Sequence, residues 1–331
     1  MIICKTPFRI SFFGGGTDFP AWYKKHSGIA ISSTINKYCY VMLKHADFIK
    51  CRYVIRYHKT ESLNTIKKIK HPVVREVLNK YNKRKEGIEI SHFSDLPGRS
   101  GIGSSSAFTV SMLNLVNHYN GKRLSKSDLA KKSMHMEQNI LKEKVGSQDQ
   151  YACAYGGFNE ITFNKNRKIF IKRLNISQKK KNILENKKSI FFTGFTRHAD
   201  KIEKDKMDNI KKKFEYFYKI QLIANEAKKI LSSNNINFLH ELSYLLNESW
   251  IYKKELSKKV SINKLDDLYS FALKNGAIGG KILGAGGGGF FMFISKNLND
   301  KKRLIKNLRK LRYIDFKFEN LGSHIIYKNF N

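Results

Sequence analysis

The sequence predicts an α+β chain of two domains, on three observations. Strand-like and helical segments are mixed through residues 1–174. Midway, a glycine-rich loop, PGRSGIGSSSA (Pro97–Ala107), joins an apolar strand to a run of helix formers. Beyond a Lys- and Asn-rich stretch reaching Lys188, three helical stretches lead into a strand, a glycine turn and a second strand. At 331 residues and 41% hydrophobic, the chain is long enough to build two cores, and the boundary is expected near residue 180, giving domains 1–180 and 181–331.

In order, the chain opens with IICKTPFRISFFGGGTD, an apolar strand that carries Arg9 and ends in Gly14, Gly15, Gly16, Thr17 and Asp18. Asp18 reads either as a turn cap or, beyond three residues without side chains, as a ligand contact. Ile29–Leu43 and Cys51–Tyr57 are rich in β-branched and aromatic residues and read as strands. A basic helix is expected over His71–Lys85 and a strand over Ile88–Phe93. An amphipathic helix follows over Ser104–Asn120, stopped by Asn120-Gly121. Another runs from Ser125, with Asp128 in capping-box position, to about Lys144 and carries Glu137. In GSQDQYACAYGG, Ser147 and Gln150 suggest a capping box, with Asp149 in the first helical turn.

Strand pieces are expected at Asn159–Phe163 and Lys168–Leu174. Ordered structure resumes at Ser189 with a strand ending at Gly194, Thr196, Arg197 and His198. Helices are expected over Asp200–Ser232, Asn237–Ser257 and Asn263–Asn275. Then come the strand pair of GAIGGKILGAGGGGFFMFIS, a helix near Asn299–Leu311, and strands Tyr313–Glu319 and Ser323–Tyr327.

The loop at Pro97 has the chemistry of an anion cradle. Gly98, Gly101 and Gly103 allow successive N–H groups to turn toward one point, and Ser104, Ser105 and Ser106 open a helix whose positive end faces the same point. The P-loop form GxxxxGK[ST] is absent. The GxGxxG at Gly284–Gly289 runs into FFMFI, a strand where a dinucleotide-binding fold needs a helix, so that reading is rejected.

Charge is the unusual feature: 63 Lys plus Arg against 27 Asp plus Glu leave +36. Nucleic acid, an anionic membrane and an anionic substrate are all raised as partners. The excess is Lys scattered in twos and threes rather than Arg and aromatics gathered in one segment, which argues against a polyanion groove. Cys4, Cys39, Cys51 and Cys153 show neither a disulfide framework nor CxxC spacing. No apolar run approaches the roughly 20 residues needed to span a bilayer, and Lys5 and Arg9 spoil a signal-peptide reading, so the cytoplasm is the expected location.

Three segments, PFRISFFGGGTD, PGRSGIGSSSA and KILGAGGGGFF, resemble in order the three signature motifs of the GHMP small-molecule kinases. The resemblance spans nearly the whole chain. It implies an N-terminal α/β domain like domain 2 of ribosomal protein S5, a ferredoxin-like C-terminal domain, and ATP with Mg²⁺ as cofactors. It also implies that the nucleotide phosphates lie against Pro97, Gly98, Arg99, Ser100, Gly101, Gly103, Ser104, Ser105 and Ser106, with Gly286 and Gly287 of the late loop beside them. Arg99 is a departure, since many members have Gly there. Asp149 matches the carboxylate facing the acceptor hydroxyl and Arg9 the cation of the first motif. Glu137, with Ser105 or Ser104, matches the Mg²⁺ site.

GGGTD, INKY, GSQDQYACAYGG and FFTGFTRHA are most similar to the kinases that phosphorylate the anomeric hydroxyl of D-glycero-D-manno-heptose 7-phosphate, giving the 1,7-bisphosphate used for bacterial surface polysaccharides. That reading implies sugar contacts from Asp18, Gly15, Gly16 and Thr17. A sugar phosphate also needs a cationic pocket, for which Arg197 and then Lys37 are the candidates. A GHMP kinase for unphosphorylated fucose or galactose is the alternative, and a nucleic-acid-binding protein, resting on charge alone, the third.

Overall fold

The computed structural model describes residues 1–46, 51–84, 86–195, 199–235 and 237–329. The first part of the chain folds as β1 (Ile2–Phe13), α1 (Pro20–His26), β2 (Gly28–His45), β3 (Tyr53–Arg56), β4 (Thr60–Leu63), α2 (Pro72–Tyr81), β5 (Ile88–Ser94), α3 (Ser104–Tyr119), α4 (Lys126–His135), α5 (Gln148–Tyr155), β6 (Phe158–Phe163) and β7 (Ile169–Arg173). The second part adds α6 (Gln178–Lys187), β8 (Lys188–Phe192), α7 (Ala199–Asp208), α8 (Phe214–Ser232), α9 (Phe238–Glu255), α10 (Asn263–Lys274), β9 (Ala277–Ile282), β10 (Phe290–Ser295), α11 (Leu298–Asn307), β11 (Arg312–Ile314), β12 (Phe318–Glu319) and β13 (His324–Lys328).

Two sheets organise these elements. The larger runs β13-β1-β2-β5-β3-β4, with β6 and β12 also on β2 and β7 on β6; the smaller is antiparallel in the order β11-β8-β10-β9. The α+β expectation holds, and the smaller sheet with its helices is the ferredoxin-like part. The last two strands, β12 and β13, return to the larger sheet although they lie beyond residue 180.

The helix over Ser104–Asn120 was expected to be amphipathic, but α3 is buried nearly all round. It lies between β1 and β2 on one side and α2, α4 and α5 on the other. Its polar side chains are satisfied internally: Ser111 Oγ donates to Thr6 Oγ1 at 2.6 Å and Asn114 Nδ2 to Ser323 Oγ at 3.1 Å. The helix expected from Ser125 to about Lys144 instead stops at His135 and passes through a π-helical turn, Met136–Ile140. One wide turn of this kind re-aims a side chain, and here it turns Glu137 fully inward. Asp200–Ser232 divides into α7 and α8. The strand at Phe290–Ser295 confirms that Gly284–Gly289 is not a dinucleotide loop.

The two parts are packed together. Trp22 of α1 stacks on Phe217 of α8 at 5.2 Å and donates Nε1–H to Gln221 Oε1 at 2.9 Å. Lys281 of β9 reaches across to the carbonyl of Phe12 in β1 at 2.7 Å. Among the described residues no helix is long and apolar enough to cross a membrane.

Candidate active site

The central loop ends in Gly103, the N-cap of α3, at φ 74°. The late glycine loop packs against it, backbone to backbone. A Cβ on Gly101 would fall 2.5 Å from the carbonyl oxygen of Leu283, and one on Gly284 would fall 2.4 Å from the Gly101 Cα. Only glycine fits at either place. The three serines have separate tasks. Ser104 Oγ accepts the Arg99 N–H at 3.1 Å, Ser105 is exposed, and Ser106 Oγ donates to Glu137 Oε2 at 2.9 Å. Arg99 holds φ 57°, so this chain keeps a glycine-like path with a side chain that faces the cavity.

That cavity, about 270 Å³, lies between the two glycine loops, β1 and the start of α5. Arg9, fully buried on β1, grips Asp149 with two parallel bonds, Nε to Oδ1 at 2.7 Å and Nη2 to Oδ2 at 2.6 Å; its Nη1 donates to the Gly101 carbonyl at 2.7 Å. Burial opposes the Arg9 charge, but the Asp149 carboxylate outweighs it and raises the pKa. A Cβ on Gly103 would lie 3.0 Å from Arg9 Cγ and 3.4 Å from Asp149 Oδ2, so the amino end of α3 meets the ion pair directly. Exposed N–H groups, a guanidinium and a carboxylate thus share one wall, an arrangement that can hold phosphates and position a hydroxyl.

Asp18 closes the turn and also lines the cavity. Its Oδ1 accepts the Gly16 N–H at 2.9 Å, closing the turn, while Oδ2 accepts the Gln148 N–H at 3.3 Å and the carboxyl still lines the cavity. Gly146 packs over it, since a Cβ there would fall 1.8 Å from Oδ2. Burial, then the charge of Asp149, pushes the Asp18 pKa up to about 6. This arrangement replaces the expected Ser147–Gln150 capping box. Ser147 makes no cap bond; its hydroxyl meets Tyr23 and Gln138, and Gln150 turns inward to Glu137. A cap supplied from a distant segment leaves no local spacing signal.

Glu137 is fully buried, with Oε2 shared by Ser106 and Gln150 and Oε1 without a partner. Burial drives its pKa up to about 8, against the hydrogen bond from Gln150. An orphaned carboxylate oxygen beside a serine at a phosphate loop fits Mg²⁺, which is commonly held by one or two carboxylates plus substrate phosphates.

Of the remaining expected residues, Gly15 and Gly16 line the cavity. Thr17 is buried behind it, its hydroxyl bonded to the carbonyls of Gly14 and Ile29, each at 2.9 Å. Pro97 and Gly98 are exposed and Ser100 is buried, its hydroxyl donating to the Pro97 carbonyl at 2.5 Å; none of the three lines the cavity. Gly286 and Gly287 pack on Val260 rather than on the cavity, which takes Gly284 and Ala285 from that loop. Lys37 is on β2, off the cavity wall, and Arg197 lies outside the described residues.

Sequence reasoning missed two lysines in the wall. Lys253 Nζ donates to the carbonyls of Ile282 at 2.8 Å and Gly284 at 2.6 Å, and Lys206 Nζ to that of Ala285. Burial, then the charge of Lys206, lowers the Lys253 pKa well below the usual lysine range. Glu143, Asp200 and Glu203 also reach the cavity; burial, and then Asp200, raises the Glu143 pKa.

Residues 64–157 match the N-terminal domain of the GHMP kinases and residues 227–314 their C-terminal domain. The chain is 30% identical over 331 residues to the D-glycero-alpha-D-manno-heptose 7-phosphate kinase of Campylobacter jejuni, covering 96% of each. It is 24% identical over 339 residues to the galactokinase of Thermosipho africanus, covering 92% of each. The crystal structure of a D-glycero-D-manno-heptose 1-phosphate kinase from Bacteroides thetaiotaomicron superposes with a TM-score of 0.81 at 23% identity, covering both chains in full.

Proposed function

The chain belongs to the GHMP kinase family and is an ATP-dependent sugar kinase, and from that premise we propose that it transfers the γ-phosphoryl group of ATP to the anomeric hydroxyl of D-glycero-D-manno-heptose 7-phosphate. The observation that carries the chemistry is the Arg9–Asp149 pair at the amino end of α3. In-line phosphoryl transfer passes through a loose transition state, so the enzyme's work is positioning and charge neutralisation. In our reading the N–H groups at Gly103–Ser106 hold the nucleotide phosphates. Asp149 orients the attacking hydroxyl and takes its proton, and Arg9 fixes that carboxylate while presenting charge to the moving phosphoryl group. Asp18 grips a neighbouring sugar hydroxyl.

Glu137 would hold Mg²⁺ with Ser106, whose hydroxyl touches its carboxylate where Ser105, exposed on the helix start, does not, and the ion would supply further neutralisation of phosphate charge. Arg197 is the proposed anchor for the acceptor's own phosphate, with Lys206 adding positive charge from the cavity wall. We place the reaction in the cytoplasm, where ATP is available.

The acceptor's identity is supported by similarity to the heptose 7-phosphate kinase along the whole chain. One observation favours the alternative of an unphosphorylated sugar: Glu143, Asp200 and Glu203 line the same cavity and would repel a phosphate. An ADP-release assay with D-glycero-D-manno-heptose 7-phosphate, galactose and L-fucose separates the two, with phosphorus NMR to locate the new phosphate on C1. A higher kcat/KM for either free sugar would overturn the heptose phosphate reading.

A further inference from the structure

One residue of the cavity wall carries a buried hydrogen-bond donor that the fold leaves without a partner. Gln148, first residue of α5, is 2% exposed. Its Oε1 accepts the Ser11 hydroxyl at 3.0 Å, and its backbone N–H is given to Asp18 Oδ2. Nε2 has no partner, yet the residue lines the cavity with Ser11, Gly15, Gly16 and Asp18. A buried amide N–H left unbonded is destabilising, a cost that a protein recovers when a ligand supplies the acceptor. Gly15 and Gly16 keep the adjoining wall free of side chains. Asp18 is an acceptor, so the two groups offer complementary contacts to neighbouring oxygens of one polyol.

We propose that Gln148 is a specificity-determining residue whose Nε2 donates to a sugar oxygen beside the hydroxyl held by Asp18, with Ser11 fixing the amide in the donating orientation. This rests on the sugar-kinase reading and adds a substrate contact to it. A contact of this kind is made in ground and transition states alike, so its loss raises the KM for sugar more than it lowers kcat.

The test is steady-state kinetics of wild type, Gln148→Met and Ser11→Ala with Mg²⁺-ATP and D-glycero-D-manno-heptose 7-phosphate. Gln148→Met is expected to raise the sugar KM about tenfold while the KM for ATP stays within twofold. Ser11→Ala, which frees the amide to rotate, is expected to raise the sugar KM severalfold; it decides the matter if Gln148→Met does not fold. A sugar KM within twofold of wild type in the folded variants overturns the proposal and leaves the kinase reading intact. If wild type instead phosphorylates only galactose or L-fucose, the heptose reading fails and the same comparison on that sugar decides the role of Gln148. Turnover of none of the three overturns both.

Discussion

Replacing Glu137 with Gln tests whether its buried carboxyl holds a proton when no cation is bound. In the folded chain Glu137 titrates at about 8, against 4.5 for an unperturbed carboxyl, so folding takes up a proton at neutral pH. Stability from that proton is complete below pH 4.5 and is lost as pH rises toward 8. Between pH 6 and pH 8 the unfolded state is already ionised while the folded state ionises only at the upper end. Wild type therefore loses about 2 kcal/mol relative to Glu137→Gln, which has no proton to release, equivalent to roughly 3 °C for a chain of this length. Asp18, at about 6, and Lys188 and Lys281, at about 7, also titrate, but they are common to both proteins and cancel in the difference. Denaturant unfolding at pH 6, 7 and 8 in EDTA measures it. A difference that stays constant within about 0.5 kcal/mol would refute the buried-proton argument, since linkage requires it to grow.

Asp149→Asn should lower kcat by about 10²- to 10⁴-fold, the usual worth of a positioned general base, while ATP still binds in a calorimetric titration; turnover within a few-fold of wild type removes Asp149 from that role. Arg99→Gly should gain about 0.5–1 kcal/mol in denaturant unfolding by relieving the φ of 57°, and should weaken nucleotide affinity severalfold as the cavity-facing guanidinium is lost. Gly101→Ala should reduce both stability and ATP affinity, because its methyl group would fall 2.5 Å from the Leu283 carbonyl and push the two glycine loops apart. A variant with wild-type melting and ATP KM would show that the loops need not touch.

The element types were legible wherever apolar spacing was strong, as in β1, β2, β5, β10 and α3. They failed where stability comes from elsewhere. In α6, QKKKNILENK buries only Leu184 and the stem of Lys180, so no apolar period marks it. What holds it is a Ser177 cap and the Lys180 ammonium, which reaches the carbonyls of Ile230 and Ser233. The cap of α5 was misread for a related reason: its acceptor, Asp18, comes from a segment far away in sequence. The glycine loops were readable because close backbone approach excludes every other residue, which leaves a mark in composition.

The lysines show the limit of reading charge as composition. Scattered Lys in a chain of net charge +36 argues against a dedicated polyanion groove, yet the same scatter conceals Lys206, Lys253 and Lys281, all nearly fully buried around the late glycine loop and β1. Each ammonium is held by backbone carbonyls, at Ala285, at Ile282 and Gly284, and at Phe12. Burial, then Arg9 and Lys206, pushes Lys281 down to about 7, while burial pushes Asp18 and Glu137 up. Asp18 and Glu137 among the acids, and Lys253 and Lys281 among the bases, are therefore driven toward their neutral forms. A highly charged nucleotide entering such a site favours the protonated lysines, and a cation beside Glu137 favours its carboxylate. The polarity of the site is thus completed by its ligands, and the lysines that share in it, held by backbone carbonyls rather than by a motif, carry no spacing signature of their own.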